Sequence, residues 1–175
     1  MSQREIRLLL ISALRLEANS VVWDIGAGTG TIPVEIGLIC PQGQIIAIER
    51  DEEVANLIQL NCDRFEVSNV QIVIGSAPQC LKQIATQPQR VCIEGGTAIK
   101  SILQQVWGYL PLTGRIVVTA ASLEALYEVS ESFTLLQARN VEVVQAAVNR
   151  LETRGNSRRL AAVDPMFILS AEKLD

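Results

Sequence analysis

The segment VVWDIGAGTG, residues 21–30, constrains this chain more than any other stretch. Val21, Val22, Trp23 and Ile25 make an apolar, β-branched run, the pattern of a strand buried on both faces. Glycines then fall at positions 26, 28 and 30, and a helical pattern opens at Thr31. A strand, a glycine turn and a helix in succession form a ready site for a nucleotide-like ligand. Glycine takes positive φ and admits close approach to the backbone, and the helix N-terminus favours negative charge. An adenosine-bearing ligand is expected here.

Spacing narrows the choice. The dinucleotide fingerprint is G-x-G-x-x-G, whereas here the third glycine comes one residue early and Thr31 fills its place. Asp24 stands two residues ahead of the first glycine, giving D-x-G-x-G-x-G. That pattern resembles the loop with which doubly wound methyltransferases hold S-adenosylmethionine. This ligand carries one carboxylate and no pyrophosphate, so one helix N-terminus and a few backbone groups suffice. Glu49 ends the next apolar run, QIIAIE (44–49), where a carboxylate can accept both ribose hydroxyl protons. The opposing possibility is a tight turn that binds nothing, with Glu49 on a solvated edge. Loop and acid occurring together at this separation favour the ligand.

Bulk properties set the remaining bounds. A chain of 175 residues reads as one domain that buries roughly 70% of its unfolded surface. Its hydrophobic content is 49%, yet no apolar run approaches the ~18 residues of a membrane span, so the excess belongs in a core. No leader pattern precedes the first helix, and a cytoplasmic location is expected. Cys40, Cys62, Cys80 and Cys92 form no C-x-x-C and read as buried reduced thiols, with no metal site. Histidine is absent, so any chemistry runs without imidazole. A net charge of −4 and 4% aromatic residues argue against nucleic acid as the main partner.

Periodicity places the elements. Ser2 and Glu5 form a capping box, and Ile6, Leu9, Leu10, Ala13 and Leu14 predict an amphipathic helix to about Glu17. Strands are predicted at 21–25, 44–49, 70–74, 90–94, 115–120, 141–148 and about 160–171, with helices or turns after the first five. The helices run from about Thr31 to Ile39, from an Asp51 cap through Phe65, briefly near 79–85, through Ile99 to Val106, and over 122–138. A polar, arginine-rich connection spans 149–159. Five strand–helix alternations followed by two strands without a helix predict a mostly parallel α/β sheet closed by one antiparallel hairpin.

With these residues placed, the chain resembles the class I S-adenosylmethionine-dependent methyltransferases, and more narrowly the precorrin C15-methyltransferase (decarboxylating) family of cobalamin biosynthesis. The matching stretches are SQREIRLLL (2–10), VWDIGAGTG (22–30), AIERDEE (47–53), GSAP (75–78), EGG (94–96) and VTAASLE (118–124), with the tail from VQAAVNR (144–150) to DPMFILSA (164–171). The resemblance implies a three-layer, Rossmann-like fold with a seven-stranded sheet whose seventh strand is antiparallel. It implies methylation of C15 of a precorrin or cobalt-precorrin, with loss of CO2 from the ring C acetate. Gly26, Ala27, Gly28, Thr29 and Gly30 would wrap the methionine part of the cofactor, Glu49 would hold the ribose, and Ala77 would lie against the adenine. Ser2 matches a hydroxyl residue near the cofactor, or is simply the helix cap.

Two departures stand out: Ser76 occupies a place where the family usually has Asp, and Met1 falls on the first-helix motif without the family's lead-in segment, so part of the substrate entrance is expected to be missing or supplied by a neighbour. Arg150, Arg154, Arg158 and Arg159 face one acid, Glu152, within ten residues, which suits a polycarboxylate substrate or else a solvated hairpin. Glu94 and Glu124 close strands four and five; neither is assigned a catalytic role. The family implies a homo-oligomer, a tetramer by analogy, and often a C5-methylating partner. The rival readings are a methyltransferase for RNA or another small molecule, and a cofactor-binding subunit silent without that partner. EGGT (94–97) stands where amino-group base methylases carry Asn/Asp-Pro-Pro-aromatic, which argues against the RNA reading.

Overall fold

The computed structural model describes residues 4–174. After α1 (Arg4–Ala13), the strands β1 (Val21–Ile25), β2 (Gln44–Glu49), β3 (Val70–Ile74), β4 (Arg90–Glu94) and β5 (Arg115–Ala120) alternate with connecting helices. These are α2 (Thr31–Ile39), α3 (Glu52–Arg64), a short 3-10 helix (Gln79–Gln83), α4 (Ile99–Tyr109) and α5 (Leu123–Leu135). Four strands complete the chain: β6 (Arg139–Ala146), β7 (Asn149–Arg154), β8 (Ser157–Ala162) and β9 (Met166–Glu172). The main sheet has the order β3-β2-β1-β4-β5-β9-β6. β9 runs antiparallel to both β5 and β6; the pairs among β1 to β5 are parallel.

Strands β1, β2, β4 and β5 are sandwiched between helices, which is why each reads as a continuous apolar run. Alternate residues serve opposite faces. Trp23, Ile46, Val91 and Ile116 pack with Leu103 and Val106 of α4 and with Phe133 of α5. Val22, Ile45, Cys92 and Val117 pack with Ile6 and Leu10 of α1 and with Ile32 and Ile36 of α2. A third cluster joins Ala47 of β2 to Ile58 and Cys62 of α3. All four cysteines are buried and free. Among the described residues no helix is long and apolar enough to cross a membrane. The strand order reverses beside β1, so the crevice past the C-terminal ends of β1 and β4 is the place where sheets of this kind bind ligands.

The structure corrects three expectations at the periphery. The first helix stops at Ala13 instead of about Glu17. Arg15 there takes φ +50, and the Nε of the buried Arg115 donates to the Ala13 carbonyl, replacing the next helical turn. The sixth strand spans 139–146, not 141–148. The stretch expected as a polar connection followed by one long strand is two features: a separate β7–β8 hairpin, then β9 from 166. Its two-residue loop, Gly155-Asn156 with Gly155 at φ +58, is a hairpin signal.

Arg115 fastens the antiparallel part of the molecule. Its side chain is 2% exposed and donates to Glu172 Oε1 at 2.6 Å, Glu142 Oε2 at 2.9 Å and Ser170 Oγ at 2.8 Å. The first strand residue of β5 thereby grips α1, β6 and β9 at once. β6 is the open edge of the sheet, and Val141, Val143 and Val144 are each about half exposed along it.

Candidate functional site

The glycine turn begins where β1 ends. Gly26, Gly28 and Gly30 all hold positive φ, at 85°, 54° and 85°. Gly30 is also fixed by space, because a Cβ there would lie 2.8 Å from Ile58 Cγ2 and 3.0 Å from Ile58 Cα on α3. Asn61, one turn further along α3, donates its side-chain amide to the Thr29 carbonyl at 2.7 Å. Helix α3 therefore sets the shape of the turn, and neither Ile58 nor Asn61 is singled out by sequence pattern. The N–H groups of Gly26 and Ala27 both donate to Ile48 O of β2, and Gly30 N–H donates to Ala27 O. Those donors are already engaged, so the turn offers a ligand close approach more than free N–H groups. At the start of α2 the N–H groups of Thr31 and Ile32 receive no side-chain cap from Gly30, Pro33 has no N–H, and Val34 N–H donates to Gly30 O.

Glu49, at the end of β2, locks the turn from the other side. Its Oε2 accepts the Gly28 N–H at 2.9 Å, and its Oε1 accepts the N–H groups of Arg50 at 2.9 Å and Asp51 at 3.1 Å. Asp51 in turn caps α3 through Glu53 and Val54. Around this latch open two adjoining clefts. The larger, about 410 Å³, is lined by Gly26, Glu49, Ser76, Ala77, Glu94 and the Gly95-Gly96 segment among others. The second, about 340 Å³, holds Gly28, Thr29 and Thr31 and shares Gly26 and Glu94 with the first. Both volumes fall in the range of small-ligand sites. Ala27 also lines the second cleft, while its methyl is buried in the cluster with Val34 and Ile58.

Directly beneath the turn lies a buried carboxyl. Asp24 is fully buried on β1, opposite Ala47 of β2 and Cys92 of β4. The Cys92 thiol donates to Asp24 Oδ1 at 3.0 Å, and Oδ2 has no partner among the described groups. Burial, followed by the nearby charge of Glu94, pushes the carboxyl from an ordinary 3.8 up to about 7. The Cys92 thiol is pushed up by the same burial and by Asp24, so it stays protonated.

Other sequence candidates fall elsewhere. Arg150, Arg154 and Arg158 all lie on the β7–β8 hairpin, apart from the residues lining the two clefts. Arg150 Nη2 pairs with Glu5 Oε2 at 2.7 Å, and Arg154 and Arg159 share Glu152 at 3.7 and 3.2 Å. Among the described residues Arg158 has no carboxylate partner, and it shares a hairpin face with the exposed cross-strand pair Leu151–Leu160. Ser2 lies outside the described residues. Glu124 is exposed on α5, where its own N–H and the Ser122 hydroxyl hold its carboxyl below the usual range. Among the described residues no group of His, Cys, Asp or Glu is placed to hold a metal ion.

The glycine turn, the acid at the end of β2 and the switch-point cleft thus lie together, and comparison with known proteins gives the chain a family. Residues 1–173 match the family described as the precorrin methyltransferase domain. The chain belongs to this family. Over 99% of its length it is 33% identical to a precorrin methyltransferase relative from Saccharolobus solfataricus, covering 88% of that protein, which is named a probable cobalt-precorrin-6B C(15)-methyltransferase (decarboxylating). A Salmonella typhimurium relative named for the same activity is 29% identical over 99% of this chain and 89% of its own. A crystal structure of precorrin-6y C5,15-methyltransferase from Geobacter metallireducens superposes with a TM-score of 0.91 at 30% identity, covering 99% of this chain and 91% of that one. The seven-stranded sheet is that of the class I methyltransferases.

Proposed function

We propose that this chain is an S-adenosylmethionine-dependent C-methyltransferase that methylates C15 of a precorrin or cobalt-precorrin and releases the ring C acetate carboxyl as CO2. The observation that carries the reading is the Glu49–Gly28 latch at the switch point, in a chain matched from residue 1 to 173 by the precorrin methyltransferase family. When bound, S-adenosylmethionine supplies an activated methyl group. Gly26, Gly28 and Gly30 let the methionine part approach the backbone, with Ala27 and Thr29 contributing main-chain atoms. Glu49, with Oε1 already accepting two N–H groups and Oε2 one, keeps an acceptor position on Oε2 that would meet a ribose hydroxyl, and Ala77, with Ser76 beside it on the cleft lining, would flank the adenine. Here a serine hydroxyl stands in for the carboxylate expected at that place.

Methyl transfer to an electron-rich carbon needs alignment and exclusion of water more than a general base, which suits a chain without histidine. For the decarboxylation, Glu94 is the acid lining both clefts, whereas Glu124 is held ionised in solvent and makes a poor proton source. The substrate class carries many carboxylates, and the hairpin arginines are the groups offered to them, Arg158 foremost because no carboxylate among the described residues occupies it. We assign the open edge of β6, with its exposed valines, to contact between copies in a homo-oligomer, a tetramer by analogy. A C5-methylating partner is in keeping with the double name of the Geobacter structure.

The test is mass spectrometry of a precorrin incubated with the chain and S-adenosylmethionine. Gain of one methyl with loss of CO2 is expected; methyl transfer to RNA, or no transfer without an added C5-methylating protein, would replace this reading by one of its rivals.

A further inference from the structure

The Asp24 carboxyl has no role in the mechanism above, and its surroundings give it one. It sits two residues before the first glycine of the turn, wholly buried, with one oxygen bonded by the Cys92 thiol and the other unmatched. Two further carboxyls, Glu49 at the end of β2 and Glu94 at the end of β4, lie close enough to raise the cost of its charge. Both line the larger cleft, in which Arg50 is the basic residue. The helices packed over this face of the sheet, α1, α2 and α3, add the buried Cys40 and Cys62 thiols and the Arg7–Glu35 pair, whose charges match at 2.7 Å. The cleft therefore has an acidic floor and walls, with one member of the set buried beneath the turn.

The methyl donor proposed above carries a sulfonium, an ammonium and a carboxylate, a net charge of one positive unit. Its spent form has lost the sulfonium charge and is neutral overall. We infer that Asp24 is a proton-exchanging counter-charge, partly protonated in the ligand-free protein at neutral pH and fully ionised when the positively charged donor enters the cleft, so that preference for donor over spent product rises with pH. The inference rests on the cofactor reading of the site. The step is simple in its balance: the Asp24 O–H bond breaks, the electron pair stays on the carboxylate, and the proton leaves to buffer. Asp24 acts through the field beneath the glycine turn and so is a positioning residue, not a catalytic one.

A carboxyl titrating at about 7 is half protonated at neutral pH, where this exchange is most visible. Cys92 tunes it: its thiol bond favours the ionised carboxylate, so its removal moves the exchange to higher pH.

The experiment is calorimetric titration of the whole chain with S-adenosylmethionine and with S-adenosylhomocysteine, at pH 6, 7 and 8, in buffers of differing ionisation enthalpy. For the donor at pH 7, release of roughly half a proton per site is expected, with less for the homocysteine product. The ratio of the two affinities should rise about three- to tenfold from pH 6 to 8, the range open to a single coupled proton. Asp24→Asn should abolish both effects, and Cys92→Ala should shift the release midpoint upward. Donor binding without proton release in the wild-type chain, or equal release in Asp24→Asn, overturns the inference while leaving the cofactor reading intact. Failure to bind either compound overturns both. Should Asp24→Asn not fold, the wild-type and Cys92→Ala buffer series decide the matter alone.

Discussion

Replacing Asp24 by Asn tests the buried carboxyl through stability, with no ligand present. In the folded chain the group titrates at about 7 against an ordinary 3.8, a gap of about three units. At ~1.4 kcal/mol per unit, this amounts to about 4 kcal/mol. The sign follows from where the proton resides. Below pH 4 the carboxyl is protonated in both folded and unfolded chains and contributes no pH dependence. Between about 4 and 7 the unfolded chain ionises while the folded one keeps its proton, so stability falls as pH rises, by ~1.4 kcal/mol per unit. Above about 7 both forms are ionised and the full loss stands. Asparagine preserves the shape and can still accept the Cys92 thiol, but it cannot ionise. Urea unfolding of wild type and Asp24→Asn at pH 5, 6, 7 and 8 isolates the group, because other titrations cancel in the difference. The variant should gain on the wild type by about 3 kcal/mol between pH 5 and 8, with the change concentrated below 7. A difference that stays flat over that range would refute the assignment of a neutral buried carboxyl.

Three more expectations concern the latch, the hairpin and the clamp. Glu49→Ala removes the acceptor of the Gly28 N–H and, on the proposed reading, the partner of the ribose, and should weaken S-adenosylhomocysteine by about 1.5–3 kcal/mol, ten- to a hundredfold by calorimetry. Arg158→Ala, and Arg154→Ala more weakly because Glu152 already engages it, should raise the substrate dissociation constant while leaving cofactor affinity unchanged; equal loss of both would count against a substrate role. Arg115→Ala should cost about 3 kcal/mol, the low end for a broken buried pair. Glu142 is 54% exposed and Glu172 keeps Arg15 and Asn140, so neither acid is stranded. Thermal denaturation would show a fall of roughly 6–12 °C.

The buried centre of this fold was readable from sequence because its strands lie between two helical layers. The interiors of β1, β2, β4 and β5 are buried and almost wholly apolar, so their runs carry their own boundaries, and all four match expectation to the residue. The periphery lacks that signal. β6 is exposed along nearly its whole length and β7 and β8 are mostly polar and arginine-rich, so neither apolar alternation nor a continuous run marks them. The Gly155-Asn156 loop was the readable cue for the hairpin. Within the site, the glycine spacing and Glu49 stand out locally, and the structure gathers Gly26, Glu49 and Ala77 on one cleft. The partnership of Asp24 with Cys92 depends on the register of β1 against β4, residues 68 apart in sequence, and no local pattern encodes it. The same holds for Asn61, which reaches the Thr29 carbonyl only after α3 packs on the turn.

The place of β9 bears on how such a chain is made. Ribosomes deliver the polypeptide from its first residue onward, at ~5–20 residues per second, so β6 emerges well before β9. Yet β9 lies inside the sheet, between β5 and β6. During synthesis β5 must wait with one side unpaired, and β6 can dock only after the hairpin and β9 have left the exit tunnel. A nascent chain halted near residue 160 would thus present a bare sheet flank to chaperones or to its neighbours until β9 arrives to close the gap.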